Sequence, residues 1–351
     1  MNIAVHIRHE IIWRYGNRSV VFIYYVDGLL LSIMSREDLI TVVVPVWNAG
    51  DFLGEALESL RSQSHDLFEA ILVNDGSTDN SEEICRRFCE TDNRFHLINQ
   101  ANSGVSAARN AGIDIARGKW IAFMDADDIM PSDSLEVLLE SAAKYDVSIV
   151  VGGYCRELPD KPLPKKVPGL VLSAEKAVEI GLYQKKILNN PWGVLFNSSV
   201  FGHGADKLRF RNCRYEDLDL FYQAFLRVDK VCVIDRPVYC YRDNPGSFIN
   251  RWSPARLDVL DVTDRIVVAM SLKGPELLRA AEDRRFSAHY NILLMMEKNG
   301  IDLPEQKERC WRIIRKQRLN ELTNPNVRLK NKLGALASYL GRPAIKLMSK
   351  L

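Results

Sequence analysis

The sequence predicts an α/β fold in which a mostly parallel sheet is covered by helices on both faces. Between residues 39 and 154, strand and helix patterns alternate four times, and the strand segments are almost entirely apolar. Apolar strands of this kind are typical of parallel sheets that are buried on both sides. With 351 residues, 47% of them hydrophobic, the chain can bury one large core and a smaller attached unit.

The first half of the chain carries the clearest alternation. Runs of β-branched and apolar residues predict strands, and apolar residues at helical spacing predict helices, the first of which we expect Asp51 to cap. The predicted strands are LITVVVPVW (39–47), FEAILVND (68–75), RFHLINQ (94–100), KWIAFMD (119–125) and DVSIVVGGY (146–154). The predicted helices are DFLGEALESLRSQ (51–63), STDNSEEICRRFCE (77–90), SGVSAARNAGIDIARG (103–118) and SDSLEVLLESAAKY (132–145).

The second half of the chain alternates less regularly. RELPDKPLPKKVPGL (156–170) contains four prolines and predicts a loop, and everything from Pro254 onward reads as helical. Between them we expect a helix near residues 173–187, a strand WGVLF (192–196), a helix EDLDLFYQAFLRV (216–228) and two short strands, VCVID (231–235) and PVYCYR (237–242). Because this part is too short to bury a core of its own, we expect it to join the same sheet. The predicted units are residues 1–38, 39–154, 155–253 and 254–351.

The N-terminal segment and the cysteines bear on where the protein works. The most apolar stretch, residues 19–33, is interrupted by Asp27 and Gly28 and is too short to span a membrane. Because Met34 precedes the first clear strand, we expect it to be the natural start and residues 1–33 to be an accessory extension. Seven cysteines without a CxxC pair predict reduced structural thiols in a cytoplasmic protein.

Polar residues follow several of the predicted strands at the point where each strand ends. Ligands of open parallel sheets bind at the carboxyl ends of the strands, so this edge is the expected site. The residues concerned are Pro45, Val46, Trp47 and Asn48 after the first strand, 74–79 after the second, Asn102 and Gly104 after the third, and 125–128 after the fourth.

The aspartates in AFMDADDIMP (122–131) can be interpreted in two ways. Asp125 and Asp127 alternate on an extended segment, so they can point the same way and share Mg²⁺ or Mn²⁺, cations that prefer oxygen ligands. Asp127 and Asp128 can equally be turn residues that cap the next helix. The pattern alone does not decide between a metal site and a cap.

Two further segments at this edge carry candidate residues. In NDGSTDNS (74–81), Asp75 is either a turn residue or an acceptor for a base or ribose. In NSGVSAARNAG (102–112), Arg109 can neutralise phosphate or pair with the strand-edge aspartates, and Gly104 and Gly112 permit close backbone approach. The chain has neither GxGxxG nor GxxxxGK[ST], and GVSAA is not a GxSxG nucleophile elbow.

Taken together, these motifs resemble, in order and spacing, the inverting glycosyltransferases of family 2. The resemblance covers about residues 39–250 and rests on VVVPVWNAGDFLGEALESLRSQ, EAILVNDGSTDNS, NQANSGVSAARNAGIDIARGKWIAFMDADD and YEDLDLFYQAF. It implies a GT-A fold, the Rossmann-like fold of nucleotide-diphospho-sugar transferases, with a mixed sheet flanked by helices and a C-terminal helical extension. Residues 39–154 would bind the nucleotide-sugar, and residues 155–253 would bind the acceptor and carry the catalytic base.

The resemblance also implies a role for each candidate residue. Asp75 would contact the base, and Asp125 and Asp127 would form a DxD motif that holds the ribose and, through Mn²⁺ or Mg²⁺, the diphosphate. In the Glu216-Asp217 pair, Asp217 would be the catalytic base, in a helix N-terminus rich in acid. The remaining residues expected to line the donor pocket are Pro45, Val46, Asn48, Asp79, Asn102, Gly104, Arg109 and Ala126.

Residues of the acceptor half are expected to include Trp192 and Arg242. Trp192 could stack on a sugar ring or be a buried structural residue, and Arg242 or Arg251 could meet the diphosphate. Processive family members carry (Q/R)xxRW, whereas this chain has Phe248 at the first position of that motif. We therefore expect the non-processive bacterial type, which adds one sugar.

The C-terminal tail is basic. After residue 300 there are twelve Lys/Arg against four Asp/Glu, although the whole chain has a net charge of only +2. Residues 328–351 place leucines close to helical spacing among these cations, a pattern that predicts peripheral contact with a membrane surface. Packing of the same helix on the catalytic domain or on another subunit explains the pattern equally well.

The sequence therefore predicts a metal-dependent inverting glycosyltransferase. It would move one sugar from a UDP-sugar to a surface glycan or a lipid-linked oligosaccharide. We expect it in the cytoplasm or at the inner face of the cell membrane, and we expect no nucleic-acid partner. The alternatives are a sugar-phosphate nucleotidylyltransferase and a catalytically inactive carbohydrate-binding or scaffold protein.

Overall fold

A computed structural model describes residues 24–26, 29–31, 38–158, 163–164, 167–242 and 252–348. The expectations about Met34, Phe248 and Arg251 concern positions outside the described residues, and the expected extension, residues 1–33, is described only at residues 24–26 and 29–31. The strands are β1 (Tyr24–Val26), β2 (Leu29–Leu31), β3 (Ile40–Val46), β4 (Phe68–Asp75), β5 (Phe95–Gln100), β6 (Trp120–Phe123), β7 (Ile149–Cys155), β8 (Gly169–Ser173), β9 (Val194–Asn197) and β10 (Lys230–Cys240).

The helices follow the predicted order along the chain. They are α1 (Gly50–Arg61), α2 (Ser81–Thr91), α3 (Val105–Ile115), α4 (Ser134–Tyr145), α5 (Ala174–Leu182), α6 (Glu216–Phe225), α7 (Asp258–Ser271), α8 (Pro275–Lys298), α9 (Pro304–Thr323), α10 (Leu329–Ala337) and α11 (Arg342–Met348). None of the described helices is both long enough and apolar enough to cross a membrane.

Eight strands form one mixed sheet in the order β5-β4-β3-β6-β9-β7-β10-β8. The strands β3 to β6 pair in parallel, β9 runs antiparallel to both β6 and β7, and β10 pairs parallel with β7. The antiparallel strands β8 and β9 lie in the second half of the chain. The predicted α/β class, with a mixed sheet flanked by helices and helices at the C-terminal end, is confirmed.

Three local predictions are wrong. A loop running into a helix was expected where the structure has the short strand β8. This strand lies at the edge of the sheet and pairs with one neighbour, β10. The two short strands predicted for residues 231–242 are one strand, β10, in which irregular pairing around Pro237 interrupts the register. Asp51 does not cap α1, since the helix begins at Gly50 and the capping position is Ala49.

Two apolar clusters cover the two faces of the sheet, and a third joins the C-terminal helices. Helices α1, α2 and α4 pack on one face, whereas α3, α5 and α6 pack on the other. Helix α8 belongs to both regions, because Leu277 and Ala280 pack on the sheet cluster and Phe286 and Tyr290 pack among the C-terminal helices. The C-terminal region is thus anchored directly to the body that carries the sheet.

Helix α3 lies unusually close to the central strand β3, and a glycine makes this possible. A Cβ placed on Gly112 would be 2.3 Å from Cγ1 of Val43 and 2.9 Å from its Cγ2. Val43 is fully buried and β-branched, so its side chain cannot move aside cheaply. Arg109, one helical turn before Gly112, contacts Asp125 at the edge of the sheet where β6 ends.

Gly112→Ala is expected to lower the free energy of unfolding by about 1–3 kcal/mol, because the new methyl group would overpack against Val43. Gly54→Ala in helix α1 is the matched control, since no atom lies within 4 Å of its Cβ position. There the same substitution should raise stability by up to about 1 kcal/mol through helix propensity. Urea unfolding of both variants checks the pair, and equal effects would contradict the close approach of α3 to β3.

Candidate functional site

The loops after β3 and β4 are held side by side by two of the predicted site residues. Asn48, with a left-handed φ of 48°, accepts a hydrogen bond at Oδ1 from the backbone N–H of Thr78 at 2.8 Å. Asp79 accepts from the backbone N–H groups of Gly50 (2.9 Å) and Ser81 (3.0 Å). Both side chains therefore fix the two loops at the carboxyl ends of these strands.

Asp75 ends strand β4 and organises the loop between β5 and α3. Its buried carboxylate accepts hydrogen bonds from Gln100 Nε2 (2.7 Å) and from the backbone N–H groups of Ser103 and Gly104 (both 2.8 Å). Gly104 has a φ of 89°, a conformation that glycine adopts without strain. Asp75 thus holds this loop, which includes the exposed Asn102, against the end of its strand.

Arg109 joins two motifs that lie far apart in the sequence. Its guanidinium donates from Nη2 to Asp125 Oδ1 at 2.9 Å and from Nη1 to Glu216 Oε1 at 2.8 Å. The side chain is buried, and it also lies over the ring of Phe210, 5.2 Å from the ring centroid. Burial strengthens such charge-assisted hydrogen bonds, so this arginine fixes the DxD segment relative to the start of α6.

The three aspartates after β6 have different environments. The side chain of Asp125 is 28% exposed, and its backbone N–H donates to the hydroxyl of Tyr239 at 2.9 Å. Asp127 is half-buried, and its carbonyl accepts from Arg242 Nε. Ala126 between them is buried. Asp125 and Asp127 are therefore the partly exposed aspartates of this short segment.

Asp128 has a structural environment that differs from the predicted helix cap. It is fully buried, and its Oδ1 accepts from the backbone N–H of Arg242 at 2.9 Å. Burial, together with the nearby carboxylate of Asp125, raises the pKa of Asp128 to about 7. Helix α4 begins six residues later, at Ser134, with Asp133 at the capping position, so the cap interpretation of Asp127 and Asp128 is wrong.

The residues at this edge suit a divalent cation that is shared with a substrate. Among residues with described side chains, no group of three or more His, Cys, Asp or Glu could hold a metal ion by itself. Mg²⁺ is commonly bound by one or two carboxylates together with substrate phosphates, and Asp125 and Asp127 supply two carboxylates of this kind. The metal-binding role of these residues stays a prediction.

Glu216 and Asp217 begin helix α6 but have different partners. Glu216 forms an ion pair with Arg109. Within the described residues, the side chain of Asp217 accepts one hydrogen bond, from the backbone N–H of the next residue, Leu218, at 2.7 Å. Burial and the neighbouring charge of Glu216 raise the pKa of Asp217 to about 6. An elevated pKa near neutrality suits a carboxylate that takes up a proton during a reaction.

The residue before this pair has a strained backbone. Tyr215 has φ 62° and ψ 33°, the left-handed region that large side chains rarely adopt. Strain of this kind persists where the surroundings impose it, and it concentrates at functional sites. Here it occurs at the N-cap of α6, directly before Glu216 and Asp217.

Asp217 lines a cavity of about 410 Å³ between α5, α6 and the C-terminal helices. Helix α8 contributes Arg284 to this cavity, and the residue before α10 contributes Arg328. The remaining lining residues are Gln184, Ile187, Leu188, Asn189, Asn190, Tyr215 and Leu218. A carboxylate with a raised pKa in a cleft is a recognised mark of a functional site.

The predicted acceptor residues Trp192 and Arg242 lie outside this cavity lining. Trp192 stacks on Tyr239 and Tyr241, with ring centroids 4.7 Å and 5.8 Å away. Arg242 packs over Phe52 of α1 and pairs with Glu55, while it also contacts the DxD segment. Both side chains are therefore engaged by contacts within the fold, and their role in acceptor binding stays a prediction.

Pro45 and Val46 lie at the end of β3, Pro45 half-buried and Val46 fully buried. The structure thus brings the residues predicted for the donor pocket to the carboxyl edge of β3, β4 and β6. Sequence reasoning missed four others: Gln100, Tyr239, Arg284 and Arg328. Gln100 could have been found, because it is a polar residue at the end of a predicted strand. The other three lie in distant segments, and no local sequence pattern marks them.

Comparison with known proteins identifies a family. The profile of glycosyl transferase family 2 matches residues 41–201. Glycosyltransferase GlyG of Streptococcus pneumoniae is 31% identical over 300 residues, which cover 79% of this chain and 95% of GlyG. Glycosyltransferase GlyA of the same organism is 32% identical over 257 residues, 69% of this chain, but the chain spans only 36% of GlyA.

Solved structures show the same fold. Residues 1–349 of Staphylococcus aureus TarS, in complex with UDP-GlcNAc, match with a TM-score of 0.64 and 17% identity. The match covers 86% of this chain and 91% of that one. At this low identity the likeness concerns the arrangement of strands and helices.

Proposed function

Since the chain belongs to glycosyl transferase family 2 and is a glycosyltransferase, we propose that it transfers one sugar from a nucleotide-sugar to an acceptor hydroxyl with inversion at the anomeric carbon. The observation that carries this proposal is the double ion pair of Arg109 with Asp125 and Glu216. It joins the segment that contains Asp125 and Asp127 to the start of α6, where Glu216 and Asp217 lie. Neither a nucleotidylyltransferase nor an inactive scaffold is retained as an alternative.

The donor is proposed to be a UDP-sugar that binds at the carboxyl edge of β3, β4 and β6. The UDP-GlcNAc complex of TarS, a protein of the same fold, supports this class of donor. Asp75 would face the base, with the loops held by Asn48 and Asp79 around it. Asp75 can take this role with only small changes, because a carboxylate oxygen can accept more than one hydrogen bond.

Asp125 and Asp127 would hold Mn²⁺ or Mg²⁺ together with the diphosphate. When bound, such an ion stabilises the negative charge that develops on the departing diphosphate. Arg109 keeps Asp125 in place from behind, because its Nη2 binds one oxygen of that carboxylate. The buried Asp128 and the side chain of Arg242 hold the segment itself.

Asp217 is proposed as the catalytic base. As the acceptor oxygen forms its bond to the anomeric carbon, its proton passes to Asp217, and the bond from that carbon to the diphosphate oxygen breaks on the opposite face. Direct displacement of this kind inverts the anomeric configuration. Glu216 is less suited to this task, since its carboxylate is bound by Arg109.

The acceptor is proposed to be a bacterial surface glycan or its lipid-linked precursor, and the tail would bring the enzyme to a membrane surface. Helices α10 and α11 pack on the body through Ala335 and Ile345. Their outer side exposes leucines among Lys and Arg: Leu329, Leu333, Leu336, Leu340 and Leu347 are each at least half exposed. The helix breaks at Gly341, before Pro343, and both parts keep the exposed apolar side.

Asp217→Asn should abolish sugar transfer while UDP binding in the presence of Mn²⁺ is kept, because the amide preserves shape but cannot take up the proton. Asp127→Ala is the matched variant. It should lose Mn²⁺-dependent UDP binding, which Asp217→Asn should keep. Transfer would be followed by mass spectrometry of acceptor products, and binding by calorimetry. Transfer at the normal rate by Asp217→Asn would contradict the assignment of the base.

The pH dependence of the unmodified enzyme gives a second check on Asp217. The base acts in its ionised form, so kcat/KM should fall as the pH drops through about 6, the pKa to which burial and Glu216 raise this carboxyl. A profile flat down to pH 5 would be incompatible with the proposed base.

Leu336→Ser with Leu340→Ser is expected to weaken binding to vesicles of anionic phospholipid by about tenfold or more, since two apolar side chains would no longer enter the bilayer surface. The control replaces Val268 and Leu272, two similarly exposed apolar residues at the C-terminal end of α7, by serine. Cosedimentation measures the affinity. Equal vesicle binding by both double variants would contradict membrane contact through the tail.

A further inference from the structure

Two arginines of the C-terminal helices meet in the cavity that contains Asp217. Arg284 enters from α8, and Arg328 from the residue before α10, and both line the 410 Å³ space. In the sequence these residues stand in unrelated helical segments, so only the fold brings them beside the start of α6. The C-terminal region therefore contributes charged side chains to the space next to the proposed base.

The guanidinium of Arg284 makes no hydrogen bond or ion pair within the described part of the chain, and its Nε is buried without a partner. Arg328 donates from Nη2 to Ser287 Oγ at 2.8 Å, but its buried Nε has no partner either. Guanidinium groups carry five N–H donors, and leaving such donors unpaired inside a protein is costly. Both arginines therefore line the cavity while each retains a buried donor without a partner.

Among the described residues, the acids near these two arginines form no ion pair with them. Asp283 accepts a hydrogen bond from Asn331, at 2.8 Å. Burial and the charge of Asp283 raise the pKa of Glu321 to about 10, which favours its neutral form. Burial and the positive charge of Arg328 lower the pKa of Arg284 to about 10, although the charges of Asp217 and Asp283 act in the opposite direction.

We propose that Arg284 and Arg328 form an anion subsite in the acceptor cavity, which binds a phosphate ester or a carboxylate of the acceptor beside the hydroxyl that Asp217 deprotonates. This inference rests on the proposed function, because it takes the cavity as the acceptor site. Both chemical groups are oxyanions that accept paired hydrogen bonds from guanidinium groups. The subsite would orient the acceptor, and it would select charged glycans over neutral ones.

A subsite of this kind also explains the position of Asp217. An acceptor anchored at the arginines by its anionic group would present a neighbouring hydroxyl to the carboxylate that lines the same cavity. Asp217 itself does not satisfy the arginines through any hydrogen bond, since its one described side-chain partner is the backbone of Leu218. Its carboxylate therefore stays available for the reaction.

The test measures binding of two small oxyanions, glycerol 3-phosphate and glucuronate, to the full chain. Saturating UDP and Mg²⁺ keep the donor site occupied, and sodium chloride holds the ionic strength constant. The variants are Arg284→Gln and Arg328→Gln, and Arg279→Gln is the matched control, an exposed arginine on the same helix α8 outside the cavity. Thermal stability without ligand shows which variants are folded.

At least one of the two compounds should bind saturably to the unmodified protein and to Arg279→Gln, and about tenfold or more weakly to Arg284→Gln and Arg328→Gln. The compound that binds identifies the anionic group as phosphate or carboxylate. Binding of neither compound, or equal affinity in all four proteins, would overturn the subsite. UDP affinity of the unmodified protein is measured separately, so a failure of the proposed donor site is distinguishable from a failure of the subsite.

Discussion

The arrangement of the site depends on one buried arginine. Arg109 binds Asp125 on one side and Glu216 on the other, and so it fixes the strand-edge aspartates relative to the start of α6. An arginine buried at this position is tolerated only because two carboxylates compensate its charge. Its location depends in turn on Gly112, which lets α3 approach Val43 closely enough for Arg109 to reach the end of β6.

This constraint divides the work among the acidic residues. Glu216 serves as a partner of Arg109, and Asp217, the next residue, is left to face the cavity with a raised pKa. Asp128 is buried and accepts a hydrogen bond from the backbone of Arg242, whereas Asp125 and Asp127 are partly exposed. Neighbouring carboxylates of the same sequence motif thus have different environments, and we attribute different roles to them for that reason.

Much of the fold could be predicted from the sequence because its signals are local. The apolar strands from β3 to β7 and the helices between them follow from patterns within a few residues, and the position of AFMDADDIMP after β6 follows from the same order. Edge strand β8 escaped prediction, since its pairing with β10 is not encoded by a strong local pattern. Arg284, Arg328 and Tyr239 escaped for a related reason: each reaches the site from a distant segment, and only tertiary packing reveals it.

The central claim, that Arg109 couples the two acidic motifs, is tested most directly by a double-mutant cycle with Arg109→Met and Glu216→Gln. Arg109→Met alone should lower the free energy of unfolding by about 3–5 kcal/mol, because it leaves two partly buried carboxylates without their cation. Removal of one of those charges by Glu216→Gln should make the second change less costly, with a coupling free energy of about 1 kcal/mol or more in urea unfolding. Effects that add within about 0.5 kcal/mol would contradict the coupling.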